Sequence, residues 1–331
     1  MKATVYKEYG GPDVLHLQEV EKPGPKSNEV LVRVHAVSVN YGDIIARNFK
    51  YLPAGDFNML SIFRIMARFA FGYSKPKRQI LGNTFAGEVE IVGSDVKKFE
   101  AGDQVFGYTG ETMGAYAEYL CIAEDGIIAP KPSHLTYEEA SAVPYGATMA
   151  ICLMRKVNIK QGQRVIVVGA SGAIGSAAVQ LASHHFGAEV TGVCSTQGME
   201  YVSSLGAARV IDYKKEDFTK SGETYDLIID ILGKGSFSKY RGSLSKKGIY
   251  MPASFKTGKL FQTLLTSVGG GKRVVCALAT PGQKDLEFIR EFLEDRKLKP
   301  GIDQSFPLEK AAEAHRYVEA GNRKGNVILT V

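Results

Sequence analysis

The run RVIVVGASGAIGSAAVQLASHHFGAEVTGVCS, Arg164 to Ser195, constrains this chain more than any other. A β-branched apolar stretch runs straight into Gly169, Gly172 and Gly175, and a helical pattern follows. The spacing is GxxGxxG rather than GxGxxG, so its weight comes from the strand, loop and helix context. Glycine permits the tight turn and lets a pyrophosphate approach the backbone. The next helix turns unpaired N–H groups and its positive dipole end toward the phosphates. Ser171 lies inside this loop, and Gly175 with Ala177 and Ala178 lets helix and strand pack closely. An NAD site usually carries an acid about 20 residues further on, for the ribose 2′-hydroxyl. Here that position reads Cys194-Ser195-Thr196-Gln197. Hydroxyls can donate to a 2′-phosphate that a carboxylate would repel, which favours NADPH. Ser195 and Thr196 would also cap the next helix, and Lys214 and Lys215 add positive charge nearby.

Around this motif the rhythm changes twice. Ala3–Tyr6, Val14–Glu19, Glu29–Ala36, Phe85–Val92, Gln104–Gly107 and Ala115–Ala123 read as strands split by Gly- and Pro-rich turns. From Tyr137 onward, helices alternate with strands. Tyr137–Ala142 starts a helix that Pro144 interrupts, and Thr148–Val157 resumes it. Strands at Arg164–Val168, Glu189–Cys194, Arg209–Asp212, Leu227–Ile231, Gly248–Met251 and Arg273–Ala279 enclose helices at Ser176–Phe186 and Met199–Leu205. That alternation argues for a doubly wound parallel sheet. Helices at Asp285–Arg296 and Leu308–Glu319 and a strand at Gly325–Val331 close the chain. The α/β unit reads as an insertion, with residues 1–125 and 282–331 forming one domain and 126–281 the other.

Composition narrows the function classes. In 331 residues, 41 basic against 35 acidic side chains give a small, scattered positive excess that does not point to nucleic acid. Cys121, Cys152, Cys194 and Cys276 form no CxxC pair, so buried free thiols in a reducing, cytoplasmic setting are expected. The N-terminus has no apolar core of a signal peptide. The most apolar window, Phe57–Tyr73, is interrupted by Arg64 and Arg68 and is short for a bilayer span, so stable membrane insertion is not expected.

The segments KATVYKEYGGPDVLHLQEVEKPGP, EVLVRVHAVSVNYGDI, LGNTFAGEVEIVGSDVKKFEAGDQVFGY, AVPYGATMA, VIVVGASGAIGSAAVQLA and GNVILTV together cover nearly the whole chain. On these the chain resembles the zinc-independent branch of the medium-chain dehydrogenase/reductases, the quinone oxidoreductases related to zeta-crystallin. The resemblance implies an α/β fold with a GroES-like β-rich catalytic domain and a Rossmann domain. It also implies an interdomain active site and a homodimer or tetramer, of which the homodimer is expected. Zinc alcohol dehydrogenases of the superfamily carry Cys where this chain has Asn40, and His-Glu where Gly82 is followed by Asn83 and Thr84. Their four-cysteine structural lobe is missing. Asp43 and His35 are the nearest donors in sequence, and neither a catalytic nor a structural zinc is expected.

The expected reaction is hydride transfer from NADPH to a hydrophobic quinone or α,β-unsaturated carbonyl, with the proton from water or a tyrosine. Asn40 would donate to the acceptor oxygen or fix its own loop, while Asp43 braces that loop. Tyr41 and Tyr145 are phenols that could reach the cleft or stay structural. By resemblance, Thr148 approaches the nicotinamide, Ala173 and Ile174 offer N–H groups to the pyrophosphate, and Tyr213 lies beside the adenosine phosphate. Leu232 and Gly233 border the adenine ribose, Leu278 and Ala279 lie near the carboxamide, and Lys324 and Asn326 contact cofactor across the cleft. Relatives often have Lys or Arg near Gln197 or Gly198, and this chain does not.

Residues 49–78 form a long link with apolar side chains at helical spacing. Arg64 and Arg68 are placed on one face. The first reading is a helix packed on the fold or in a dimer interface, the second a lid over the acceptor, the third a contact with a membrane surface. Competing functions are a zinc-free alcohol or aldehyde dehydrogenase and a non-catalytic NADPH-binding protein.

Overall fold

The computed structural model describes residues 1–53, 60–321 and 324–331. Strands β1 (Lys2–Val5) and β2 (His16–Glu19) pair antiparallel as a small sheet. β3 (Glu29–Val39), α1 (Tyr41–Arg47) and α2 (Ser61–Phe71) follow, then β4 (Thr84–Val92), β5 (Gln104–Tyr108), β6 (Tyr119–Ala123) and β7 (Ile127–Pro130). The middle of the chain runs α3 (Tyr137–Ser141), α4 (Pro144–Met154), β8 (Arg164–Val168), α5 (Ala173–Gln180), β9 (Glu189–Cys194), α6 (Met199–Ser204) and β10 (Arg209–Asp212). It continues through β11 (Tyr225–Asp230), α7 (Phe237–Tyr240), β12 (Leu244–Pro252), α8 (Thr257–Ser267) and β13 (Arg273–Val274). The last elements are α9 (Gln283–Glu294), β14 (Ile302–Pro307), α10 (Ala311–Glu319) and β15 (Asn326–Thr330).

Two sheets carry the architecture. Seven strands form the first, in the order β14-β15-β3-β4-β5-β7, with β6 also paired to β3. Its spine is β3, whose Val30, Val32, Val34, Val37 and Val39 are all buried. β-branched side chains fill such a pleated interior well. The chain returns to this sheet at its end, where Val327–Thr330 of β15 runs antiparallel to Val39–Ala36 of β3. β7 pairs with β5, so this unit extends past residue 125.

The second sheet is wholly parallel, in the order β10-β9-β8-β11-β12-β13. That is the doubly wound order in which neighbours on opposite sides of the first strand leave a crevice at the carboxyl ends. β8 is its central strand, and its RVIVV run is apolar throughout because helices cover both faces.

Several expected elements are corrected. Pro144 does not interrupt a helix. It opens α4, since proline lacks an N–H that the first helical position cannot use anyway. The helix after the glycine loop starts at Ala173, three residues early, and passes into a wider π-type turn over Leu181–His185. The strand expected over Arg273–Ala279 ends at Val274, so Leu278 and Ala279 lie in irregular chain.

In the 49–78 link, residues 54–59 and the side chains of Phe63 and Arg64 lie outside the described residues, and so does the expected Arg64–Arg68 face. α2 is a helix as expected. It touches the core through half-buried Ala67 and Phe71, the latter 5.6 Å from the Phe49 ring. Ile62, Ile65, Met66 and Phe69 are exposed, so packing on the fold accounts for only one side of it.

Candidate active site

The glycine loop takes the form its sequence demands. Gly169 ends β8 at φ +90°, a conformation that L side chains rarely adopt. A Cβ on Gly175 would sit 2.0 Å from the Gly169 carbonyl oxygen, so the first turn of α5 lies directly against the loop. Gly172 precedes α5 at its N-cap position. The opening N–H groups of a helix have no partner four residues back. Ser171, Ala173 and Ile174 therefore surround a ready anion site at the switch point of the sheet. Leu232 stands exposed over this loop, 3.2 Å from where a Gly169 Cβ would be, and Gly233 follows it at φ +63°. These residues are brought together as the sequence led us to expect, and the built cradle fits a dinucleotide pyrophosphate.

The 2′ end holds a residue that the sequence reading missed. β9 and β10 pair so that Asp212 lies opposite Cys194. The buried Asp212 carboxylate accepts the Thr196 hydroxyl and the Lys214 N–H, the latter at 3.0 Å. Those two donors hold its pKa below the usual carboxylate range. Thr196 therefore spends its proton on Asp212. Ser195 is half-buried, and Tyr213 is exposed beside Lys214 and Lys215.

The first unit holds a buried polar cluster around α1. Asn40 caps α1, is 2% exposed, and donates its side-chain amide to Ser38 and to Asn83 Oδ1, the latter at 2.8 Å. Both amide hydrogens are thus engaged within the fold, which favours the loop-fixing one of the two expected readings of Asn40. Its role here is to tie two loops together. Asp43 is fully buried and accepts the Asn40 N–H at 2.8 Å, the Gly82 N–H at 3.1 Å and the Tyr116 hydroxyl. It braces the loop as expected.

Behind Asp43 runs a chain of donors that sequence separation hid. Arg47, 1% exposed, donates to His315 Nδ1 at 2.8 Å, to Glu319 at 2.6 Å and to the Gly10 carbonyl at 3.1 Å. Arginine only donates, so His315 must accept at Nδ1 and carry its proton on Nε2. That N–H donates to the Tyr116 oxygen at 3.0 Å, and the Tyr116 O–H donates to Asp43. Burial and the Arg47 charge push His315 down to about 3, so it stays neutral.

The remaining tyrosines differ in position. Tyr145 follows the first residue of α4, and a Cβ on its neighbour Gly146 would lie 2.3 Å from the Ala173 carbonyl oxygen. Tyr145 therefore stands at the start of α5. Its ring lies 6.1 Å from that of Tyr108 at the end of β5, so one phenol from each unit meets the other here. Burial, with Tyr145 and Asp43 nearby, raises the Tyr108 phenol well above its usual range and keeps its O–H at neutral pH. Tyr108 was not singled out in the sequence, where it reads as a strand end. Tyr41 is half exposed at the start of α1.

Several further candidates bond within the protein. Thr148 is fully buried and donates to the Pro144 carbonyl at 2.6 Å, a bond back along its own helix. Asn326 lines a small cavity with Ala173 and Ser176, but its side-chain amide donates to the Gly301 carbonyl at 3.0 Å. The Lys324 N–H donates to Asp303. Leu278 and Ala279 are half-buried, and Ala279 packs on the core of the parallel unit. His35 stacks on Tyr137 at 4.3 Å. No group of three or more His, Cys, Asp or Glu that could hold a metal occurs among the described residues.

Two predictions follow from this geometry. Gly175→Ala drives a Cβ into the Gly169 carbonyl. It should cost about 1–3 kcal/mol of stability and weaken dinucleotide binding at least about tenfold, read by urea unfolding and cofactor fluorescence. Burial raises Asp43 from its usual 3.8 to about 7. The folded protein then holds that proton more tightly than the unfolded chain, so its contribution to stability falls as pH rises from about 4 to about 7 and is flat above. The stability advantage of the native protein over Asp43→Asn should shrink across that window, by at most about 1.4 kcal/mol per pH unit. A constant difference would refute the shift.

Comparison with known proteins agrees with this arrangement. Residues 26–133 match the alcohol dehydrogenase GroES-like domain family and residues 205–329 the zinc-binding dehydrogenase family. The chain is 30% identical to a 2-methylene-furan-3-one reductase of Solanum lycopersicum, over 99% of this chain and 79% of that one. It is 29% identical, over the same shares, to an NADPH-dependent alkenal/one oxidoreductase, chloroplastic, of Arabidopsis thaliana. The solved quinone oxidoreductase from Coxiella burnetii superposes with a TM-score of 0.84 at 27% identity, covering 100% of this chain and 99% of that one. The chain belongs to the quinone oxidoreductase branch of the medium-chain dehydrogenase/reductase superfamily, with a GroES-like unit and a Rossmann unit.

Proposed function

We propose that this chain reduces a quinone or an α,β-unsaturated carbonyl with hydride from NADPH, as a homodimer. Family membership makes it an oxidoreductase that uses a nicotinamide cofactor on a small molecule. The observation that carries the finer reading is the Tyr108–Tyr145 pair, which sets two phenols beside the anion site at the start of α5. When bound, the cofactor supplies the hydride. Gly169, Ser171, Gly172, Ala173, Ile174 and Gly175 would hold its pyrophosphate, with Leu232 and Gly233 at the ribose. Ser195, Tyr213, Lys214 and Lys215 would face the 2′-phosphate, which supports NADPH over NADH.

Hydride arriving at a quinone or at the β-carbon of an enone leaves negative charge on oxygen. Tyr145 donates to that oxygen, and Tyr108, kept protonated by burial, supports it. Neither step needs a Lewis acid, because the acceptor is already polarised. The Asn40–Asp43 cluster keeps the opposite wall rigid. The four cysteines are free thiols, which supports a reducing compartment and the cytoplasmic expectation. No described helix is long and apolar enough to cross a membrane.

Oxidation of NADPH should be measured with an ortho-quinone and an aliphatic enone in parallel, and with NADH as the competing donor. At least one acceptor should turn over, and Tyr145→Phe should lower kcat by roughly tenfold to a hundredfold while leaving NADPH affinity unchanged. Binding of NADPH with neither acceptor reduced would return the chain to the non-catalytic reading. The homodimer is supported by β13, the last strand of the parallel sheet, and by exposed Phe261, Leu264, Leu265 and Val268 on and beside α8. Sedimentation should give twice the chain mass, and Leu264→Asp with Val268→Asp should give the monomer.

A further inference from the structure

Among its described side chains, helix α2 is apolar on two opposite sides, and one of them packs on the fold. At 100° per residue, Ala67 and Phe71 face the fold, while Ile62, Ile65, Met66 and Phe69 form a stripe roughly half a turn away. Phe69 is 75% exposed and Tyr73, just beyond the helix, is 76% exposed. The mount is fixed. The Tyr9 hydroxyl bonds the Phe71 and Gly72 carbonyls at 2.9 and 2.8 Å, and Lys77 Nζ donates to the Phe69 carbonyl at 2.8 Å. These contacts satisfy carbonyls that a helix C-terminus leaves open.

The charge along this segment is one-sided. Residues 60–78 carry Arg64, Arg68, Lys75, Lys77 and Arg78 and no acidic side chain. Arg68 lies over the Tyr73 ring at 5.4 Å, and Lys75 and Lys77 are exposed. An exposed row of Ile, Met and Phe, an aromatic at its end and a cationic border is the make-up of a helix lying in a lipid interface. A protein partner of equal fit would need a matching acidic rim. An anionic bilayer supplies negative charge over any area.

We propose that the outer face of α2 seats this protein on anionic membrane surfaces, with Ile62, Ile65, Met66 and Phe69 among the acyl chains and Lys75 and Lys77 at the headgroups. The contact is peripheral and does not depend on which acceptor is reduced. It should be tested on the full chain by sedimentation with vesicles of phosphatidylcholine alone and of phosphatidylcholine mixed with phosphatidylglycerol. The protein should pellet with the mixed vesicles, weakly with the neutral ones, and less in high salt. Ile65→Ser with Phe69→Ser should abolish pelleting. Lys75→Glu should weaken it about tenfold. Both variants should keep the native melting temperature and their turnover of a water-soluble acceptor. Absence of pelleting with mixed vesicles, or equal pelleting with neutral ones, overturns the proposal. So does a native dimer that the Ile65→Ser, Phe69→Ser variant dissolves, since a second copy would then be the occupant of this face.

Discussion

The directed hydrogen-bond chain from Arg47 through His315 and Tyr116 to Asp43 holds the first unit in its working shape. Its direction is set at one end, because a guanidinium cannot accept a hydrogen bond. Each later proton position follows from that fact. The chain joins α1 to α10, which are 268 residues apart at Arg47 and His315. It also delivers a third donor to Asp43, whose other two come from the Asn40 loop and from Gly82. Burying a carboxylate among neutral donors is costly, and the same cost explains its raised pKa. That anchor and the direct Asn40–Asn83 bond together fix the loop before α1 against the one before β4.

The return of the chain to β3 is the second condition. β15 supplies the strand beside β3, and α10, just before it, carries His315 to Tyr116. The same return brings Asn326 to the cavity lined by Ala173 and Ser176. Closing the sheet and positioning the second unit are thus one event. A Rossmann unit inserted between β7 and β14 is held at both chain connections.

What could be read in advance was what is local. Val-rich β3 and β8 and the glycine loop each state their structure within a dozen residues, and all three stand where their patterns put them. The doubly wound parallel character of the second sheet and the pairing of the last strand with the first unit were also legible from rhythm. What could not be read was what folding brings together. Nothing near Arg47 in sequence announces His315, and nothing near Tyr145 announces Tyr108. Asn40 and Thr148 were sound choices by type, yet each is spent on a bond within its own unit. Sequence gives a donor's identity but not whether its proton is already taken. Pro144 shows the opposite fault: a breaker in mid-helix is a starter at the first position, and only the boundary decides.

Asp212 makes the same point at the cofactor end. The rule for ribose recognition counts residues along the chain from the glycine loop, and by that count the site has hydroxyls and no acid. In the folded sheet the parallel register sets Asp212 beside Cys194, so an acid arrives from the neighbouring strand instead. Its effect differs from that of an acid at the end of β9. One oxygen accepts the Thr196 hydroxyl and the other the Lys214 N–H. The side chains left facing outward are Tyr213, Lys214 and Lys215. A carboxylate whose two oxygens are bonded by Thr196 and Lys214 differs from one left open to a ligand, and two exposed lysines stand beside it. The discriminating quantity at such a site is which way the carboxylate's oxygens point, and that is set by the register of two strands.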